Sequence, residues 1–130
     1  MGAPNGKLQG KTIAIKDNIP VAGVPMMCGS WMLEDYVPDY DATVVSRILD
    51  AGGRITGKAV CEEFCFTATS CTAATGHVVN PYDQTRMALG SSSGSAALVS
   101  LAYTECADVG EAAGVSVKPP SLKKWEILMF

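Results

Sequence analysis

At 130 residues the chain has room for one domain with a buried core and not for two. Hydrophobic residues make up 48% and charged residues 18%, a balance that excludes an intrinsically disordered chain. The net charge of −3, with Lys123-Lys124 as the nearest approach to a basic cluster, excludes an electrostatic nucleic-acid surface.

Gly6 to Gly10 reads as a turn, followed by the β-branched run Thr12-Ile13-Ala14-Ile15. That run predicts a buried strand whose end delivers Lys16 into the loop Lys16-Asp17-Asn18. Pro20 to Tyr40 carries three prolines and two glycines and predicts a long irregular connection. Its Met26, Met27, Trp31, Met32 and Tyr36 predict that this loop is ordered by packing on an apolar surface.

Asp41 is suited to cap a helix over 42–51, with Val44, Val45, Ile48 and Leu49 as the apolar stripe and Gly52 as the stop. Arg54 to Lys58 reads as the next strand. Strand, helix and strand in that order predict a parallel pair, hence an α/β fold: part of a layered mixed sheet flanked by helices. Glu62 to Ala68 predicts a short helix, and Thr69 to Leu89 a loop with His77 at the surface. Gly94 or Ser95 opens a third helix running towards Tyr103. Beyond it the character changes: Pro119-Pro120 breaks any helix, and Trp125 to Phe130 is strongly apolar. The chain is read as one domain over 1–130, with 101–130 a divergent tail whose apolar end offers a route to homo-oligomers.

The run Ala96 to Tyr103 is too short for a membrane span, and Met1 to Gly10 lacks an apolar signal segment, so the expected location is the cytoplasm, with no membrane partner. The cysteines at 28, 61, 65, 71 and 106 are odd in number and irregularly spaced. Cys61 and Cys65 are four apart, as on one helix face, but without Cys-x-x-Cys or His-x-x-x-His. Reduced thiols and no metal are expected.

Two segments carry chemistry. A lysine at the end of a buried strand, Lys16, is disfavoured as a charged group and suits the role of base, although taken alone it reads first as a partner of Asp17. The run Leu89-Gly90-Ser91-Ser92-Ser93-Gly94-Ser95 presents hydroxyls and free backbone N–H groups at a helix start. Alone it equally reads as a linker or a simple cap, and it lacks the Lys-[Ser/Thr] ending of a phosphate loop.

Together with Asp41-Ala42-Thr43-Val44-Val45, Gly57-Lys58-Ala59, Glu62-Glu63-Phe64 and Asn80-Pro81, these segments resemble the amidase-signature enzymes over about residues 7–100. Val24-Pro25-Met26-Met27 and Cys61 to Phe66 look most like the bacterial enantioselective amidases of nitrile pathways. The resemblance implies hydrolysis of a small-molecule carboxylic amide to acid and ammonia by a Ser–Ser–Lys triad, with no cofactor. It implies Lys16 as base, Ser91 as a bridging serine behind a cis peptide bond, and a nucleophilic serine about two dozen residues further on. The match there is Ser116, with Ser92, Gly114 and Val115 on the substrate side. This sequence departs from the family at Leu89, where glycine is usual, at Val115 before the nucleophile, at Lys118 in place of arginine, and by one extra residue of spacing. Family members also have a helical segment before the lysine strand and a long continuation, so the triad is expected to be incomplete in this chain. Two other readings stay open: a non-catalytic amidase-like domain, and the glutamine-hydrolysing component of an amidotransferase.

Overall fold

The computed structural model describes residues 6–101 and the backbone of 105–107. Three strands make a sheet: β1 (Thr12–Lys16), β2 (Arg54–Ala59) and β3 (Glu105–Ala107), in the order β2-β1-β3. Both pairings are parallel. The predicted strands at Thr12 and Arg54 are present, each one residue longer than expected. β3 is an addition: it falls in the stretch read as a divergent tail, yet Ile13, Ala14 and Ile15 pair with Glu105, Cys106 and Ala107.

Helix α1 (Thr43–Asp50) buries Val44, Val45 and Ile48 against Ile13, Ile15, Ile19 and Val21. The predicted stripe is therefore the one that packs, with Leu49 at its margin. Its cap differs. Ala42 occupies the N-cap position without a side-chain bond, and Asp41 Oδ1 instead accepts from Ala22 N at 2.7 Å. The carboxylate ties the long loop to the helix start, and the helix begins through backbone bonds from Val45 and Ser46 to Ala42 O.

Helix α2 (Ser93–Ser100) covers the other side, where Leu98 and Val99 pack on Ala14 and Ala59. Small residues on that face let the helix start come close, and Gly94 N donates to Val60 O at 2.9 Å. The helix predicted over 62–68 is not formed. A single 3-10 turn, Glu63–Cys65, stands there, with Phe64 at φ 45° and Cys65 at φ 58°. Two consecutive L-residues in the left-handed region cannot continue an α-helix. The long loop also differs from expectation: a 3-10 turn, Trp31–Leu33, lies within it, and Trp31 and Met32 are 63% and 81% exposed. Met26 and Met27 are half-buried, so only part of the loop's apolar content is packed. The apolar end Trp125 to Phe130, offered as a route to homo-oligomers, lies outside the described residues.

Candidate active site

The alternation of β1 decides where its lysine goes. Successive side chains of a strand point to opposite faces. Ile13 and Ile15 belong to the α1 core, Ala14 to the α2 side, and Lys16 shares the parity of Ala14. Lys16 is fully buried, and its Nζ donates to Ser91 Oγ at 3.1 Å and to Ser92 Oγ at 2.6 Å. A shift of one residue in the strand would put the amine into the isoleucine core.

The alternative pairing of Lys16 with its neighbour is not what Asp17 does. Asp17 Oδ2 accepts from Met27 N at 3.0 Å, and Oδ1 lies 3.1 Å from Lys58 Nζ in an ion pair whose geometry is not that of a hydrogen bond. Strand β2 thus supplies the cation for Asp17, and Lys16 is turned to the serines.

The serines are held by backbone. Ser91 O accepts from Glu62 N at 3.0 Å, Gly90 N donates to Ala68 O at 3.1 Å, and the Gly90–Ser91 peptide bond is cis. Gly90 is pressed against its surroundings: a Cβ there would lie 2.6 Å from Glu62 Cγ and 3.1 Å from Thr67 O. Leu89, just before it, sits at φ 60°, a conformation that glycine adopts freely and a leucine does not. Ser92 stands at the N-cap position of α2 with Ser91 buried beside it.

Glu62 is a residue that the sequence marked only by its place in a family segment. It is fully buried, and Oε2 accepts from Thr67 Oγ1 at 2.5 Å, from Thr72 Oγ1, from Thr72 N at 3.3 Å and from Thr69 Oγ1 at 3.5 Å. Burial pushes its carboxyl up, but the hydrogen bonds from Thr67 and Thr72 outweigh that and hold it below the ordinary glutamate value. The sequence signal for this role is three threonines within ten residues of an acid, in a loop with few other acceptors. Glu62 therefore fixes the 67–72 loop with its carboxylate and Ser91 with its backbone.

Of the four cysteines whose side chains are described, three converge. The sulfur atoms of Cys28, Cys61 and Cys65 all lie within 4.8 Å of one another, and Cys71 stands exposed. None of the four is in a disulfide. Burial and then the neighbouring Cys65 raise the Cys28 thiol to about 11, and the Cys65 hydrogen bond followed by burial raises Cys61 as well. The pair at 61 and 65 meets, but across a 3-10 turn and not along a helix face.

Of the residues expected in the site, Lys16, Ser91 and Ser92 are brought together. Ser116, Gly114 and Val115 lie outside the described residues. His77 is exposed in its loop.

The amidase family model matches residues 2–122, further along the chain than the segments that carry the resemblance. The sequence is 52% identical over 117 residues to an enantioselective amidase of Rhodococcus rhodochrous, covering 88% of this chain and 22% of that protein. It is 50% identical over 120 residues to the A component of the glutamyl-tRNA(Gln) amidotransferase of Haloarcula marismortui, covering 92% and 28% respectively. Among solved structures it is similar to the corresponding glutamyl-tRNA(Gln) amidotransferase component from Thermotoga maritima, with a TM-score of 0.74 and 40% identity over 78% of this chain and 23% of that one. It is also similar to the native peptide amidase from Stenotrophomonas maltophilia, with a TM-score of 0.71 and 35% identity over 77% and 21%. The chain thus spans about a quarter of the length of the curated relatives it matches.

Proposed function

The chain belongs to the amidase family, and we propose that it carries the base and the relay serine of a Ser–Ser–Lys amide hydrolase acting on a small carboxylic amide. The observation that supports this reading is the buried contact between Lys16 Nζ and Ser91 Oγ at 3.1 Å. Ser116 is the nucleophile of the proposal, and Ser92, Gly114 and Val115 line the substrate side.

Lys16, as the free amine, accepts the proton of Ser91, while Ser91 accepts that of Ser116, whose oxygen attacks the amide carbon. Backbone N–H groups at 114–116 hold the developing oxyanion. The tetrahedral intermediate breaks its C–N bond, and the proton returns along the same relay to the departing nitrogen, which leaves as ammonia. Water then repeats the sequence on the acyl-enzyme and releases the acid. Excluding bulk water around Lys16 keeps the relay proton between the three groups, which is what burial of that side chain achieves.

A fluorophosphonate probe tests the nucleophile. Mass mapping should find one labelled serine, Ser116, and Lys16→Met should abolish both labelling and ammonia release from an amide. Absence of labelling in the wild-type chain would favour the non-catalytic reading.

The match to amidotransferase components, almost as close as that to the stand-alone amidase, favours a second reading in which the amide is that of glutamine. Ammonia release from glutamine, compared with release from simple aliphatic and aromatic amides, separates the two. We place this activity in the cytoplasm, the location expected from the sequence. Cell fractionation tests it.

A further inference from the structure

We propose that Cys28, Cys61 and Cys65 form a three-thiolate binding site for a soft monovalent ion, Cu(I). Their sulfur atoms lie within 4.8 Å of one another. Around a three-coordinate ion with metal–sulfur bonds of about 2.3 Å, flat geometry sets the sulfur separation at about 4.0 Å. The cluster therefore needs to close by less than about 1 Å to grip an ion of that size. A disulfide would demand a far larger approach of two sulfurs and would strand the third.

The backbone holds this arrangement from two sides. Phe64 N donates to Cys28 O at 2.9 Å and ties the two segments bearing the thiols together, while Cys65 N donates to Glu62 O at 2.9 Å and closes the turn between Cys61 and Cys65. Gly29 passes so close that a Cβ on it would lie 2.5 Å from Cys61 O. Cys28 and Cys65 both sit in the left-handed region, at φ 50° and 58°. Backbone conformations of that kind in non-glycine residues gather at ligand clamps.

The donor set selects the ion. Three thiolates are soft ligands, and no fourth His, Cys or carboxylate joins the group among the described residues. Structural zinc asks for four ligands, whereas Cu(I) is satisfied by three sulfurs. In the binding step three S–H bonds give their protons to solvent and three Cu–S bonds form, with no change in oxidation state because copper arrives as Cu(I). The sequence argued against a metal because its cysteines are odd in number and irregularly spaced, with no Cys-x-x-Cys or His-x-x-x-His, and the fold brings three of them together all the same. Cys61 precedes Glu62, whose N–H holds Ser91 O.

The full chain, reduced and under anaerobic conditions, is titrated with the acetonitrile complex of Cu(I), following the near-ultraviolet thiolate-to-copper band and competition with bicinchoninate. The expected result is saturation at one copper per chain. Cys28→Ser and Cys65→Ser, both at half-buried positions and each checked for a fold unchanged by circular dichroism, should weaken binding at least tenfold, and Cys71→Ser should not. No band in the wild-type chain, full affinity in the Cys28 and Cys65 variants, an equal loss in Cys71→Ser, or uptake of Zn(II) with refusal of Cu(I) would each overturn the proposal.

Discussion

Lys16 Nζ lies nearer to Ser92 Oγ, at 2.6 Å, than to Ser91 Oγ, at 3.1 Å. The distance alone would pick Ser92 as the relay, but the two serines differ in how they are held. Ser91 is fixed by the Glu62 N–H to its carbonyl, whereas Ser92 opens helix α2. Each hydroxyl is a partner of a buried amine, so Ser91→Ala and Ser92→Ala should each cost about 1–3 kcal/mol in urea unfolding. The activities should separate: loss of hydrolysis in Ser91→Ala, and a reduced but measurable rate in Ser92→Ala. The reverse order of activities would move the relay to Ser92.

Gly90→Ala places a methyl 2.6 Å from Glu62 Cγ and 3.1 Å from Thr67 O, a backbone atom that cannot swing away. Overpacking of this kind costs roughly 1–3 kcal/mol, and here it also displaces Ser91 from Lys16. Gly57, on β2, has nothing within 4 Å of a Cβ position. Gly57→Ala should leave thermal stability unchanged or slightly raised, since alanine loses less backbone freedom on folding. Equal melting of the two variants would show that the wall around Gly90 is soft.

The Glu62 carboxyl predicts an acid limb in the stability curve. Its folded value lies below the ordinary 4.5 because the hydrogen bonds of Thr67 and Thr72 outweigh its burial. A carboxyl lowered on folding stabilises the fold fully above its unfolded value, and that contribution is lost as pH falls through the folded one. Stability should therefore decline from about pH 4.5 downward, and Glu62→Gln should flatten that decline while lowering stability at pH 7. Asp83 is also lowered, by Thr85 and then Arg86, but its side chain is 42% exposed, and Asp83→Asn should change the limb little and less still in salt. An acid limb that survives in Glu62→Gln would assign it elsewhere.

What the sequence made legible was what short-range pattern controls. The β-branched run at Thr12 and the stripe of Val44, Val45 and Ile48 each name a core face by period alone, and both faces pack. Lys16, Ser91 and Ser92 stand out because five segments occur in family order, not because spacing shows that they meet. The failures share a cause. Asp41 has the chemistry of a helix cap, but Ala22 N claims its carboxylate. Residues 62–68 have helical composition, but Glu62 turns inward to the threonines and Phe64 takes φ 45°. β3 is three residues long and exists by pairing with a strand about ninety residues earlier, which no local window reveals. Trp31 and Met32 suggest a packing surface by their type alone, yet both are exposed.

The thiols give the last test, at the opposite end of the pH scale. Cys71 is exposed, whereas Cys61 is buried and Cys28 half-buried in the cluster. Iodoacetamide at pH 8 should therefore modify Cys71 well before Cys28 or Cys61, and unfolding in urea should bring the three rates together. Cys28 adds a stability effect whose sign is fixed by its shift, from the ordinary 9.0 up to about 11, through burial first and then Cys65. A thiol raised on folding stabilises the fold fully below its unfolded value, because the neutral form is the one the cluster accommodates. That contribution is lost as pH climbs from 9.0 towards about 11, where the folded thiol ionises too. Stability should fall across that interval in the wild-type chain and fall less in Cys28→Ala. Labelling of Cys61 as fast as Cys71, or an alkaline limb unchanged in Cys28→Ala, would show that the cluster opens to solvent and does not hold its protons.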